Sequence, residues 1–302
     1  MMRKRTLRLR ERDCITAYAL FIPTFCLLCL FLVWPTLNVL LISLTKSNLL
    51  RPEKGSVFNW GRNFVALFSD REFCFTVLRS LFYTFSATAV SLLLSYFTAV
   101  LVHREFRGKG LAIALLFLPW VVSDVVTSFV FKWSYDTMYG IFNYLLCDVL
   151  HVLKEPIAWL GNQHTAFPAV IVANIWKLLP FSTLSIIAAL KQVPLEITES
   201  ARVDGASAVR THVSIIIPYL KAPLAILLTL RIGALFRSFD ITWLLTKGGP
   251  GYATTTLPIQ YYKTAFEAMD VGKGSAVAVV ILLFVFLVYF GIYKSFGKDA
   301  FS

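Results

Sequence analysis

The stretch "ESARVDGASAVRTHVSIIIPYLKAP", Glu199 to Pro223, interrupts a strongly apolar chain with a charged, glycine-broken segment and then runs back into a hydrophobic stretch. Its first part reads as a short helix. Pro194 suits a first helical position, and Glu196 and Glu199 stand where acidic groups complement a helix N-terminus, so a helix is expected from about Pro194 to Val203. Gly205 is a natural stop, and Asp204 is placed to accept hydrogen bonds from the amides of a second helix beginning there. The second helix continues through Ala206, Ala208 and Val209 towards Ile215, and Pro218 and Pro223 mark its passage into the next apolar run. Small residues at Ser200, Ala201, Ala206, Ser207 and Ala208 leave little bulk on the pair, so another surface can approach closely. Such an elbow reads as a docking element; an amphipathic loop lying on a membrane interface would satisfy the same pattern.

The surroundings of the elbow are those of a membrane protein. Hydrophobic residues make up 57% of the 302, charged residues only 15%, and the mean hydropathy is +0.70, whereas soluble domains carry about a quarter charged residues. Apolar segments long enough to cross a bilayer recur at Ile15–Leu44, Val77–Val102, Leu111–Trp133, Ala166–Ala189, Ile215–Phe236 and Ser275–Phe296. Asn174, Lys177 and Pro180 interrupt the fourth, but Ile171, Val172, Ile175, Trp176 and Leu179 surround them, and a polar group inside a span flags function. Within the first, Pro23 and Pro35 predict kinks. The loop from Lys46 to Thr76 has the composition of one carrying a short interfacial helix, and "YDTMYGIFNYLL" after Ser134 that of a surface-lying segment.

An even number of spans places both termini on one side. The basic opening "MMRKRTLRLRERD", Arg104, Arg107 and Lys109, and Lys294 and Lys298 fall on that side with the elbow, which the positive-inside rule makes cytoplasmic. Lys46, Arg51, Lys54, Arg62 and Arg71 on the opposite side are partly offset by Glu53, Asp70 and Glu72. The net charge of +12 is scattered at membrane edges rather than gathered on one soluble face, so nucleic acid is not an expected partner; membrane lipid is. A cleaved secretory signal is not expected, because the first apolar stretch is too long. Cys26 and Cys29 read as packing residues, and a Cys74–Cys147 disulfide is open to the two outside loops. There is no HExxH, GxSxG or paired acidic motif, and His103, His151, His164 and His212 are dispersed in expected loops.

Glu199-Ser200-Ala201, then Asp204-Gly205-Ala206, Ile215 and Pro218 resemble the EAA…DGA…I.LP motif of permease subunits from binding-protein-dependent ABC importers. A second stretch, "FDITWLLTKGGPGYATTTLPIQYYKTAF" from Phe239 to Phe266, with Asp240, Gly248, Gly249 and Pro250, is similar to the segment after the fifth span in the carbohydrate-uptake branch. Ser200 replaces the usual second alanine, Val209 a common tryptophan and His212 a usual phenylalanine. The resemblance implies an all-α, six-helix type I importer permease. Residues 1–76 would hold the cytoplasmic opening, first span and first outside loop, 77–296 the five-helix core with its coupling loop at 190–214, and 297–302 a cytoplasmic tail. It further implies that Glu199, Ser200, Ala201, Asp204, Gly205, Ala206, His212 and Pro218 couple to a cytoplasmic ATPase dimer. A second permease would complete a heterodimer, and an extracytoplasmic sugar-binding protein would deliver the cargo. ATP and magnesium would be used by the ATPase, no cofactor being bound by this chain, which has no GxxxxGK[ST] loop.

A transport pathway needs polar and aromatic groups near mid-membrane, where they are costly unless they face a cavity or one another. The fourth span supplies Asn174, Trp176, Lys177 and Phe181, and the fifth Arg231, Leu235, Arg237 and Ser238, followed by Asp240 and Trp243. Asn174 and Phe181 stand two turns apart, on one helix face. By resemblance to maltose-type permeases, the faces around Asn174 and Phe181 and around Arg231 and Leu235 would contact sugar. Structural pairing of Arg231 and Arg237 with Asp240, Asp124 or main-chain carbonyls is the competing arrangement. Three cations, Lys177, Arg231 and Arg237, also suit an anionic saccharide; glycerol phosphate or a polyol is a related cargo. A proton-coupled carrier would lean on Asp124, the only acid well inside an expected span.

Overall fold

The computed structural model describes residues 18–50 and 55–300, the last five by backbone alone. The basic opening 1–13, Ile15, Arg51, Glu53 and Lys54, and the Lys298 side chain lie outside the described residues. Helices dominate the remainder. In chain order they are α1 (Tyr18–Ser43), α2 (Arg62–Ser69), α3 (Arg71–His103), α4 (Lys109–Val121), α5 (Asp124–Ser134), α6 (Gln163–Leu190), α7 (Leu195–Val203), α8 (Ala208–Tyr219), α9 (Lys221–Phe236), α10 (Asp240–Thr246), α11 (Leu257–Tyr262) and α12 (Val271–Ala300).

Four of these, α1, α3, α6 and α12, are long and apolar enough to cross a membrane unbroken. Two bent pairs supply the rest, giving up to six crossings. The third span, expected as one helix, is broken: α4 and α5 meet at 98°. Val122 and Ser123 are extended at the break, and the Ser123 hydroxyl accepts a hydrogen bond from Val126 N at 3.3 Å, capping α5. The fifth bends by 76° at Leu220, between Pro218 and Pro223, each of which lacks the amide that would continue the helical ladder. The fourth runs unbroken from Gln163 to Leu190 in spite of Pro168 and Pro180. In α1 the distortion is a π-helical turn, Cys29–Val33, immediately before Pro35.

The chain forms two compact units, residues 1–69 with 263–279 and residues 70–262 with 280–302. In the first, α1 leads into a two-residue antiparallel ribbon pairing Thr45 with Phe58 and Lys46 with Val57. The Asn63 amide donates to the carbonyls of Ser43 and Thr45, both at 2.8 Å, and Gly272 N donates to Ser47 O at 3.0 Å. Only glycine fits at 272, because an added Cβ would stand 2.3 Å from Thr45 O.

In the second unit the most extensive helix pair is α3 with α6. The buried residues of α3 include Thr76, Ser80, Thr84, Thr88, Ser91, Ser95 and Ala99, small groups close to four apart. Lipid tails are as apolar as leucine, so helices in a bilayer gain from close van der Waals approach rather than from the hydrophobic effect, and small residues permit it. Tyr83, Ala87, Ala169, Val170, Ala173 and Leu235 share one buried cluster; Ala99, Ile186, Ile187, Ile216, Leu220 and Leu227 share another.

The segment after α5 is a packed knot. Asn143 is 4% exposed, its amide donating to Thr137 O (3.1 Å) and Ile157 O (2.9 Å) while its oxygen accepts from Ile157 N (3.1 Å) and Trp159 Nε1 (2.9 Å). Tyr135 stacks on Phe142, and Trp159 packs tilted against both. Cys147 is a free thiol, so the Cys74–Cys147 bridge is not formed.

Candidate substrate pathway and coupling elbow

A cavity of about 320 Å³ opens where α6, the α4–α5 break and the α9–α10 junction meet. Asn174, Lys177, Leu235, Arg237, Ser238 and Asp240, all singled out from sequence, line it together with Trp120 and Asp124. Asn174 is 3% exposed; its amide donates to Val170 O at 3.0 Å and its oxygen accepts from Ser238 Oγ at 3.2 Å. That bond ties α6 to the residues following α9.

Lys177 does something the sequence did not disclose. Its ammonium donates to Trp120 O at 3.2 Å and to Val122 O, and stands 3.5 Å from Asp124 Oδ1. A single cation on α6 thus holds the last carbonyls of α4 and the first carboxylate of α5 across the break. The partner of Asp124 is thus Lys177 rather than either arginine, whereas Arg237 takes the carbonyl alternative, donating from Nε to Gly233 O at 3.0 Å.

Arg231 and Phe181 are together but outside the cavity lining. The guanidinium carbon lies 4.9 Å from the Phe181 ring centre, and Phe181 stacks on Trp120 at 6.1 Å. Arg231 is 5% exposed, and its Nε and Nη2 find no acceptor among the described residues. Trp176 is displaced from the expected pathway: it packs edge-on against Phe131 at 5.4 Å and does not line the cavity, since two residues along a helix turn it well away from the Asn174 face.

The loop after α10 is built on threonines. Lys247 and Gly248 take left-handed backbone conformations, with φ of 52° and 85°. Thr255 Oγ1 donates to Gly248 O and Thr254 Oγ1 to Gly249 O, both at 2.9 Å, which fixes the Gly248-Gly249-Pro250 turn. Arg79 of α3, paired with Glu72, donates to the carbonyls of Tyr252 and Thr255, and Ser80 Oγ accepts from Leu257 N at 2.8 Å. Sequence reasoning passed over Arg79 and Ser80; a cation one turn into an apolar span was the available signal.

The elbow matches its reading with one change. α7 ends in a Schellman motif: Gly205 has φ of +78°, Ala206 N donates to Ala201 O at 2.9 Å and Gly205 N to Arg202 O at 3.0 Å. Asp204 closes α7 rather than opening the next helix; Ser207 caps α8, its hydroxyl accepting from Arg210 N at 3.3 Å. Serine, one helical turn before the amide, has the geometry that Asp204, followed at once by a left-handed glycine, lacks. Ala201 is buried, Glu199 and Ser200 are exposed, and the apolar Leu195, Val203 and Val209 are exposed at 75%, 88% and 74%. His212 bonds through Nδ1 to the Tyr96 hydroxyl of α3 at 2.9 Å.

A broken-helix cavity above an exposed cornered elbow is the geometry of a membrane transport subunit that docks to another protein. Residues 64–300 match the family described as binding-protein-dependent transport system inner membrane component, and the chain belongs to that family. It is 33% identical to the trehalose/maltose transport system permease MalF of Thermococcus litoralis over 97% of each chain. It is 30% identical to the sulfoquinovosyl glycerol transport system permease SmoG of Agrobacterium fabrum, over 89% of this chain and 86% of that one. A chain of a crystal structure of a bacterial alginate ABC transporter, in complex with a periplasmic protein bound to an alginate pentasaccharide, superposes with a TM-score of 0.80 at 19% identity, covering 96% of each. The fold is that of a type I importer permease, and the chain is a permease of a binding-protein-dependent ABC importer.

Proposed function

We propose that this chain forms half of the translocation pathway of a sugar importer, paired with a second permease, served outside by a sugar-binding protein and driven inside by an ATPase dimer that consumes ATP and magnesium. Both termini would then be cytoplasmic. The names of the relatives support a saccharide cargo, and the cavity suits one: amide, hydroxyl and charged groups hydrogen-bond sugar hydroxyls while Trp120 and Phe239 offer ring faces.

The observation that carries the coupling role is the elbow's exposed face. Its corner is closed by its own backbone bonds, yet it presents Leu195, Val203 and Val209 beside Glu199 with little else to cover them. ATPase closure would draw on α7 and α8, and α8 continues through the Leu220 bend into α9, whose end carries Leu235, Arg237 and Ser238 into the cavity. Binding energy spent at the elbow is thereby delivered to the pathway.

The test is purification of the tagged chain from mild detergent, with identification of every co-purifying subunit and ATPase assays with and without sugar-loaded binding proteins. Recovery of an ATPase and a second permease, with turnover raised by a loaded binding protein, is the expected result. A chain that purifies alone and moves solute in liposomes without ATP would overturn the proposal.

A further inference from the structure

We propose that Arg231 is an inner station of the pathway, receiving the acidic group of an anionic saccharide after it leaves the cavity; this rests on the sugar-importer reading above. Guanidinium remains charged at any physiological pH, and at mid-helix in a membrane it is retained only where something compensates it. Here the compensation is incomplete. Arg231 is 5% exposed with Nε and Nη2 lacking acceptors, and the contact it does make is with the face of Phe181 at 4.9 Å. The two acids of the neighbouring cavity are Asp124, which stands 3.5 Å from the Lys177 ammonium, and Asp240, for which no contact with Arg231 is formed.

Position says which way the missing charge arrives. Ala234 and Leu235, one turn beyond Arg231 on α9, line the cavity. Trp120 is a cavity wall, Phe181 stacks on Trp120, and Arg231 lies over Phe181, so the residues form a sequence leading out of the cavity. On α6, Phe181 lies seven residues beyond Asn174, about 10 Å further from the Gln163 end. On α9, Arg231 stands four residues before the cavity-lining Leu235, about 6 Å closer to the Lys221 end, which joins the elbow. The aromatic face covers the cation, and rotation of Phe181 would exchange that contact for two parallel N–H donors, the geometry that guanidinium offers a carboxylate or sulfonate. Of the three cations noted in the sequence, Lys177 is engaged at the helix break and Arg237 with Gly233 O, and Arg231 is the one of the three with buried donors that meet no acceptor among the described residues.

The experiment uses the whole importer in proteoliposomes, with uptake of a uronate-bearing oligosaccharide and of the same oligosaccharide reduced to the neutral sugar at its carboxyl carbon. Arg231→Gln is expected to lower uptake of the acid form at least tenfold and Arg231→Lys by no more than a few fold, with both variants co-purifying with the partner subunits in wild-type yield. If the wild type imports only the neutral form, or imports the acid form equally well with Arg231→Gln, the inference fails while the sugar-importer reading stands. Loss of co-purification in Arg231→Gln, restored in Arg231→Lys, would show that the counter-charge belongs to the second permease and would also overturn it. Import of neither form, together with no binding-protein-stimulated ATPase turnover for any saccharide tested, would instead count against the underlying reading.

Discussion

Removing the Lys177 ammonium strips two carbonyl oxygens and a carboxylate of their shared donor at once. Lys177→Met is therefore expected to cost about 1.5–3 kcal/mol, the range for lost hydrogen bonds from a charged group, with little added by Asp124, whose carboxylate is half-exposed, and to lower the thermal unfolding midpoint of the purified complex. Asp124→Asn, which leaves the carbonyl bonds in place, should cost less, and the double variant should fall short of the sum in a mutant cycle read by thermal unfolding. Asp136 offers a milder case at the surface. Backbone amides of Tyr139 and Met138 donate to its carboxylate at 2.9 Å each and hold its pKa below the usual 3.8. The lowered value means the charged form stabilises the turn above the ordinary aspartate range, and that contribution is lost as pH falls through the lowered value. Protection of the Met138 and Tyr139 amides, taken relative to the intrinsic exchange rate at each pH, should be lower at pH 3 than at pH 6 in the wild type and low at both in Asp136→Ala. Among these residues, Asn174 and Lys177 were legible because polarity inside an apolar run is conspicuous. The partners of Lys177 were not, since main-chain carbonyls are exposed only by a helix break, and Pro119 and the capping Ser123, which mark that break, went unread inside an otherwise apolar run.

At the level of elements, the elbow was the most readable part of the chain, because a left-handed corner demands glycine and the charges around it follow helix-terminus rules. The misassigned cap shows the limit: Asp204 and Ser207 are both acceptable cap residues, and only the geometry of the Gly205 corner decides between them. An added Cβ at Gly205 meets nothing within 4 Å, so Gly205→Ala pays only for its φ, roughly 1 kcal/mol. Gly205→Pro cannot reach that φ and also loses the bond to Arg202 O, and is expected to abolish binding-protein-stimulated ATPase turnover while leaving membrane insertion intact. Full turnover in the proline variant would contradict the proposed coupling. Inside the helices, Gly233 is the tight contact: a Cβ there would sit 2.0 Å from the Tyr289 hydroxyl oxygen. Gly233→Ala should destabilise by about 1–3 kcal/mol, and Tyr289→Phe in the same chain should recover part of it, as thermal unfolding would report. The small-residue ladder of α3 went unread in the sequence because isolated serines and threonines in an apolar span are tolerated anywhere; only their spacing, once the partner helix is known, gives them a meaning.

For the molecule as a whole, the six apolar runs carried the class, four standing as unbroken spans and two as bent pairs, and a pair of motifs carried the family. Straight spans were the wrong expectation for the third and fifth, because an apolar run measures the membrane's thickness and says nothing about bends within it. Orientation is the remaining global property and it has a direct check. In the proposed arrangement Cys147, a partly exposed thiol in the knot after α5, is on the outside. In a chain whose other cysteines are replaced by serine, a membrane-impermeant maleimide added to intact cells should label Cys147, whereas Thr198→Cys in a fully cysteine-replaced chain should be labelled only after the cells are opened. The reverse pattern would invert the topology.

The Schellman corner of the elbow closes on itself: Ala201, Arg202, Gly205 and Ala206 supply both donors and acceptors. Its shape is therefore set within this chain, by bonds to which no other subunit contributes. The partner would meet a finished mould rather than a loop to be shaped, so little conformational entropy is lost on contact and encounter, rather than refolding, sets the pace. Under the proposed coupling, permease and ATPase would then need no fixed order of synthesis in order to join.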